Sequence, residues 1–137
     1  PAAADIESII HLLEVRQVLE GGAIPLAMQR ATAADYQKLK NLIAAEENCP
    51  VYRNGNIAPS VAFENEIVNI TGNPSLISLE KTVTEAWINL WVNLGLGVLN
   101  PKARTMDHYE ILEAMASGDV RLAQKCLYSP KQCSPGT

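Results

Sequence analysis

Apolar residues recur at intervals of three and four along almost the whole of this 137-residue chain, and strict apolar–polar alternation never persists. That spacing is the period of an amphipathic helix, so it restricts the chain to an all-α fold. With 47 % hydrophobic residues, the length suits one globular domain that buries most of the surface its unfolded chain would expose. Turn and cap residues divide the pattern into seven predicted helices. Asp5 caps a first that runs to about Glu20, where Gly21 and Gly22 end it, and Pro25 opens a short second through about Arg30. Thr32-Ala33-Ala34-Asp35 is a capping-box-like start for a third, which reaches about Asn48. Residues 49–58, with Pro50, Asn54, Gly55 and Asn56, read as a loop. A fourth helix spans about Pro59 to Thr71, and Gly72-Asn73-Pro74 stops it and starts a fifth that continues to about Leu96. The sixth runs from about Lys102 or Thr105 to Ser117. Gly118-Asp119 starts the seventh, which ends near Tyr128, so residues 1–128 form the domain and 129–137, with two prolines and a glycine, are expected to be a disordered tail.

At about 100° per residue, several polar side chains fall where a core residue belongs. Arg16 lies at the centre of the stripe made by Ile9, Leu12, Leu13 and Leu19. Ser60 and Glu64, one helical turn apart, share an inward row with Phe63 and Ile67, leaving Asn65, Glu66 and Asn69 outward. His108 is surrounded by Ile111, Leu112 and Met115. The fifth helix is apolar almost all round except for a seam of Thr82, Glu85, Asn89 and Asn93, which lines a cavity or meets solvent or a partner. A buried charge is penalised by several kcal/mol unless it is paired or hydrogen-bonded. One Arg, one or two Glu and one His in a single core therefore need each other, water or a ligand. Arg16, Ser60, Glu64, Glu85, Asn89 and His108 are the candidate ligand-binding residues; the bland alternative is a structural ion pair such as Arg16 with Glu64. Trp87 and Trp91 read as core or a dimer interface, Met106 and Met115 as packing, and His11 as surface. Lys38, Lys40, Glu46 and Glu47 read as a solvated face.

A formal net charge of −4 argues against direct binding of a phosphate backbone. Cys49, Cys126 and Cys133 are odd in number and lack C-x-x-C spacing, which disfavours a disulfide framework or a structural zinc site and suits a reducing compartment. No apolar stretch reaches membrane-spanning length and no signal core follows Pro1, so a cytoplasmic location is expected. A start at proline suggests a processed chain or a piece of a longer one. There is no phosphate loop, H-E-x-x-H, G-x-S-x-G or cysteine–histidine pair, and an enzyme would have to use Glu64 and His108 alone as acid and base.

In order along the chain stand Glu14-Val15-Arg16-Gln17-Val18-Leu19-Glu20, Ala31-Thr32-Ala33-Ala34-Asp35, Phe63-Glu64, Gly72-Asn73-Pro74, His108-Tyr109-Glu110-Ile111-Leu112-Glu113-Ala114 and Ser117-Gly118-Asp119. The set resembles the FCD domain, the C-terminal effector-binding domain of FadR-type GntR transcription regulators, over nearly the whole chain. The resemblance implies an antiparallel bundle of six or seven helices around a ligand cavity, a homodimer, and a small-molecule effector, often an organic acid. It also implies operator DNA bound only through an N-terminal winged helix-turn-helix that this chain lacks. Many members hold a divalent metal such as zinc or nickel with an Asp and three His. The matching positions here carry Ser60, Glu64, His108 and Pro130, of which only His108 agrees with the pattern. The metal site is therefore expected to be lost or weak, with Glu64 and His108 its only remaining ligands. Arg16 matches the family's E-x-R-x-x-L-E pattern and suits a carboxylate or phosphate, whereas Glu64 and Glu85 leave room for a ligand with an amine or several hydroxyls. The expected function is a metabolite-sensing, dimerising domain; the rival is a purely structural dimerisation domain with a satisfied polar core.

Overall fold

The computed structural model of the chain describes residues 3–53, 55–98 and 101–128. Within them are six helices: α1 (Ala3–Arg30), α2 (Ala33–Asn48), α3 (Ala62–Ile70), α4 (Pro74–Asn93), α5 (Pro101–Ala116) and α6 (Val120–Tyr128). A two-residue hairpin, β1 (Tyr52–Arg53) and β2 (Asn56–Ile57), pairs Tyr52 with Ile57 and Arg53 with Asn56 in the segment expected to be loop. Two residues per strand are too few for a period-two pattern to register. The expected tail at 129–137 lies outside the described residues.

The largest departure from the sequence reading is α1, a single helix of 28 residues, about 42 Å long at 1.5 Å per residue. It passes through Gly21, Gly22 and Pro25 where a break was expected, and α6 explains why. Proline has no N–H, so Pro25 leaves the Gly21 carbonyl without its helical donor. Gln124 Nε2 of α6 donates to that carbonyl at 3.0 Å. Gly21 also lies against α6: a Cβ there would run into the Tyr128 hydroxyl. The glycine is therefore a packing residue within the helix, not a cap.

The other predicted boundaries hold to within a few residues. Thr32 accepts from the Asp35 amide at 3.3 Å while Asp35 Oδ2 accepts from the Thr32 amide at 2.8 Å, which completes the capping box of α2. Asn73 caps α4 through the Ser75 and Leu76 amides, with Pro74 in its first turn. Gly72 before it has φ +63, a conformation L side chains rarely adopt. Pro59 and Ser60 stay outside α3, which begins at Ala62, and α4 ends at Asn93 rather than Leu96.

The long α1 packs on α3, α4 and α6, while α5 packs on α2 and α6. Arg16 lies against Trp87, and one turn later Glu20 meets Glu80, so α1 and α4 run antiparallel. One apolar core joins Ile24, Leu39, Ile43, Phe63, Ile67 and Met115. A smaller one joins Ile9, Val61 and Trp87 with Leu12, Ile88 and Trp91 packed against them. On α1 the stretch between Ile9 of the second core and Ile24 of the first holds Arg16 and Glu20, both buried.

Candidate functional site

Five helices deliver charged side chains to the region between the two cores: Arg16 and Glu20 from α1, Glu46 from α2, Glu64 from α3, Glu80 from α4, and Arg104 and His108 from α5. Arg16 and Glu20 stand four apart on one helix face, as do Arg104 and His108, so each pair presents its charges side by side. Arg16 Nε meets Glu20 Oε2 at 3.1 Å and its Nη2 reaches Glu64 Oε2 at 3.3 Å. Its guanidinium also lies 4.6 Å from the Trp87 ring centre, a cation–π contact. Glu64 Oε2 is the hub of the cluster, since Arg104 Nη2 at 3.4 Å and His108 Nε2 at 3.3 Å point to the same oxygen. The other nitrogen of His108, Nδ1, lies 2.9 Å from Glu46 Oε2, and Phe63 stacks on the imidazole with ring centres 4.6 Å apart.

Burial alone would lower the His108 pKa, but the charge of Glu64 and the hydrogen bonds to Glu46 and Glu64 outweigh both burial and Arg104 and raise it to about 9. Burial pulls the Glu64 carboxyl upward, yet His108, Arg104 and Arg16 hold it well below the usual carboxylate range. Glu20 behaves in the opposite way: burial, reinforced by Glu64 and Glu80 and opposed by Arg16, pushes it up to about 10. Glu80 is raised by burial as well, and neither of its oxygens has a fixed donor. A proton on Glu20 supplies that donor.

Beside the cluster opens a cavity of about 340 Å³, walled by α2, the hairpin segment and the starts of α3 and α5. Its lining is mostly apolar, including Leu42, Val51, Ala58 and Ile88, with Ser60, Glu46 and Arg104 as its polar part. Arg104 Nη2 also donates to the Ser60 carbonyl at 2.6 Å, which ties the cavity wall to the cluster.

Of the six residues expected at a site, Arg16, Glu64 and His108 meet in the cluster and Ser60 lines the cavity. Glu85 and Asn89 do not join them. They lie exposed, along with Thr82 and Asn93, so the polar seam of α4 faces away from the core and Glu80, Thr84 and Trp87 are the buried row. A helix that is apolar nearly all round gives the wheel no contrast with which to pick the inner side. Met106 is also exposed, and Glu66, expected outward, is buried beside Lys38 and Asn69.

Glu46, expected on a solvated face, is instead tied to His108 and Arg104. It follows the buried Leu39 and Ile43 at helical spacing, and that row was the signal for it. Arg104 and Glu20 were legible in the same way, each four residues from a residue already placed inward.

A family model for the FCD domain matches residues 11–129. The chain belongs to the FCD domain family. No curated protein matches it. Three of the four positions at which many FCD domains hold a divalent metal are among the described residues, and they do not fit one. Both His108 nitrogens are already engaged by carboxylates, Nδ1 by Glu46 and Nε2 by Glu64. Ser60 offers only a hydroxyl, and two guanidinium groups point at Glu64 where a cation would sit. Among the described residues no group of three His, Cys, Asp or Glu side chains is arranged to hold a metal ion, and none of the helices is long and apolar enough to cross a membrane.

Proposed function

We propose that this FCD domain is the small-metabolite-binding, dimerising sensor of a GntR/FadR-type transcription regulator, working in the cytoplasm and acting on DNA through a separate N-terminal domain. The observation that carries the reading is the open-sided cavity of about 340 Å³ set against a charged cluster drawn from five helices. The volume falls within the range of ligand sites, roughly 300–1,000 Å³. A ligand that engages Arg104 and Glu46 perturbs Glu64, and through it Arg16 on the longest helix. That path couples the cavity to α1, whose exposed Ile6, Ile10 and Leu13 form one apolar face suited to a second copy of the chain. The effector acts by binding one arrangement of the dimer better than the other.

The test is a thermal-shift and calorimetric screen of small acids, amines and amino acids, repeated on Ala45→Trp, which fills the cavity from an exposed position. A hit abolished by that substitution supports the reading, whereas a hit that survives it moves the site elsewhere. The same ligand must then change operator affinity of the full-length regulator. Sedimentation of the double variant Ile10→Lys, Leu13→Lys should give a monomer; a dimer would remove the α1 face from the interface.

The structural-domain alternative draws on the same cluster, whose charges largely satisfy one another. It gains if Arg16→Ala unfolds the chain and no compound shifts the melting temperature. The enzyme alternative is weaker, because His108 has both nitrogens engaged by carboxylates and none is left to exchange a proton with a substrate.

A further inference from the structure

We infer that the ligand of this cavity is a zwitterion with an apolar side chain, an α-amino acid of the leucine or valine type; the inference rests on reading the cavity as the effector site. The two charged residues lining the cavity are Glu46 and Arg104, one of each sign. Glu46 Oε1 and Arg104 Nε stand 3.6 Å apart, within reach of Coulomb attraction but too far for a hydrogen bond; Arg104 Nε itself is enclosed, whereas the side chain as a whole is 26 % exposed. Both side chains are held from behind. His108 engages the other oxygen of Glu46 at 2.9 Å, and Arg104 Nη2 is fixed between the Ser60 carbonyl at 2.6 Å and Glu64 at 3.4 Å. The atoms that face each other are therefore held in place without being bonded to each other.

A ligand with a single charge meets a partner and a repeller at nearly the same distance. A carboxylate drawn to Arg104 comes up against Glu46 and Glu64, and an amine drawn to Glu46 comes up against Arg104. A zwitterion has neither difficulty. Lying head to tail along the pair, its carboxylate accepts from Arg104 and its ammonium donates to Glu46. In an α-amino acid these groups sit on adjacent carbons, close to the spacing of the two protein atoms. The rest of the lining, Leu42, Val51, Ala58 and Ile88 among it, suits a short branched apolar side chain.

The experiment is calorimetric titration of the intact chain with three probes of matched shape: L-leucine, 4-methylpentanoate, which lacks the amine, and 3-methylbutylamine, which lacks the acid. L-leucine should bind at least about tenfold more tightly than either analogue. In Glu46→Gln its advantage over 4-methylpentanoate should collapse, because the ammonium loses its acceptor and the anion loses its repeller. If that variant does not fold, the comparison on the native chain still decides. Equal or tighter binding of 4-methylpentanoate or of 3-methylbutylamine overturns the zwitterion and leaves the cavity as the effector site. Binding by none of the three overturns the zwitterion, and a cavity that also stays silent across the broader screen overturns the effector site with it.

Discussion

Glu64 shows how one side chain sets the character of the whole interior. Its Oε2 gathers Arg16, Arg104 and His108 from α1 and α5, so removing a single cation leaves a buried carboxylate with weaker compensation. Arg16→Ala should cost about 3 kcal/mol in urea unfolding, the lower part of the range for a broken buried pair, since Arg104 and His108 remain and Glu20 is neutral. A loss below about 1 kcal/mol would mean the cluster behaves as an exposed one. Glu20 gives a second prediction with the opposite sense. Its pKa rises from an ordinary 4.5 to about 10, so the protonated side chain contributes stability that is complete below pH 4.5 and declines as pH rises toward 10. Glutamine copies the protonated acid, keeping an acceptor for Arg16 and a donor for Glu80. Glu20→Gln should therefore raise the urea midpoint at pH 8 and leave it nearly unchanged at pH 4.5; a variant destabilised at both would show that the carboxylate is needed.

At the scale of a helix, α1 separates intrinsic propensity from packing. Gly21 and Gly22 are neighbours in one helix, and alanine is favoured over glycine there by about 1 kcal/mol. Nothing lies within 4 Å of a Cβ at Gly22, so Gly22→Ala should stabilise by about that amount. At Gly21 the same methyl would run into the Tyr128 hydroxyl and ring edge, so Gly21→Ala should destabilise by displacing that side chain. Combining it with Tyr128→Ala should make the glycine replacement favourable again, which a double-mutant cycle read by thermal melting can measure. Additive effects at Gly21 and Tyr128 would show that the two residues do not meet.

Across the whole molecule, the titrating groups share one cluster and fix how stability follows pH. His108 is raised to about 9 from 6.5, so its contribution is complete below pH 6.5 and lost as pH rises through 9; it is faced by Glu46, Glu64 and Arg104. The contribution of Glu20, faced by Arg16, Glu64 and Glu80, declines over a wider window, from 4.5 up to about 10. The lowered Glu64 works the other way, contributing above its ordinary 4.5 and losing that contribution below it. Stability should therefore peak near about pH 4.5 and fall on the alkaline side by up to about 1.4 kcal/mol per pH unit for each proton lost. In His108→Gln the alkaline slope should lessen by one proton; an unchanged slope would assign it elsewhere.

Helical period, the Thr32 and Asn73 caps and the inward positions of Arg16, Glu64 and His108 were legible in the residues themselves, because a helix is built from contacts three and four residues apart and its caps are local too. The continuity of α1 was not. It depends on Gln124 and Tyr128, more than 100 residues away, supplying the donor that Pro25 lacks and the packing that Gly21 admits. Nor could the wheel of α4 decide between Glu80 and Glu85, since both lie among apolar residues and only the position of α1 determines which side is buried. Glu46 and Arg104 each follow an inward helical row, but that they meet at one cavity is decided by how α2 and α5 pack. Local sequence fixes what each helix is, whereas the partner of each buried charge is chosen by how the helices pack, because such a charge is tolerated only where another helix brings its counter-charge.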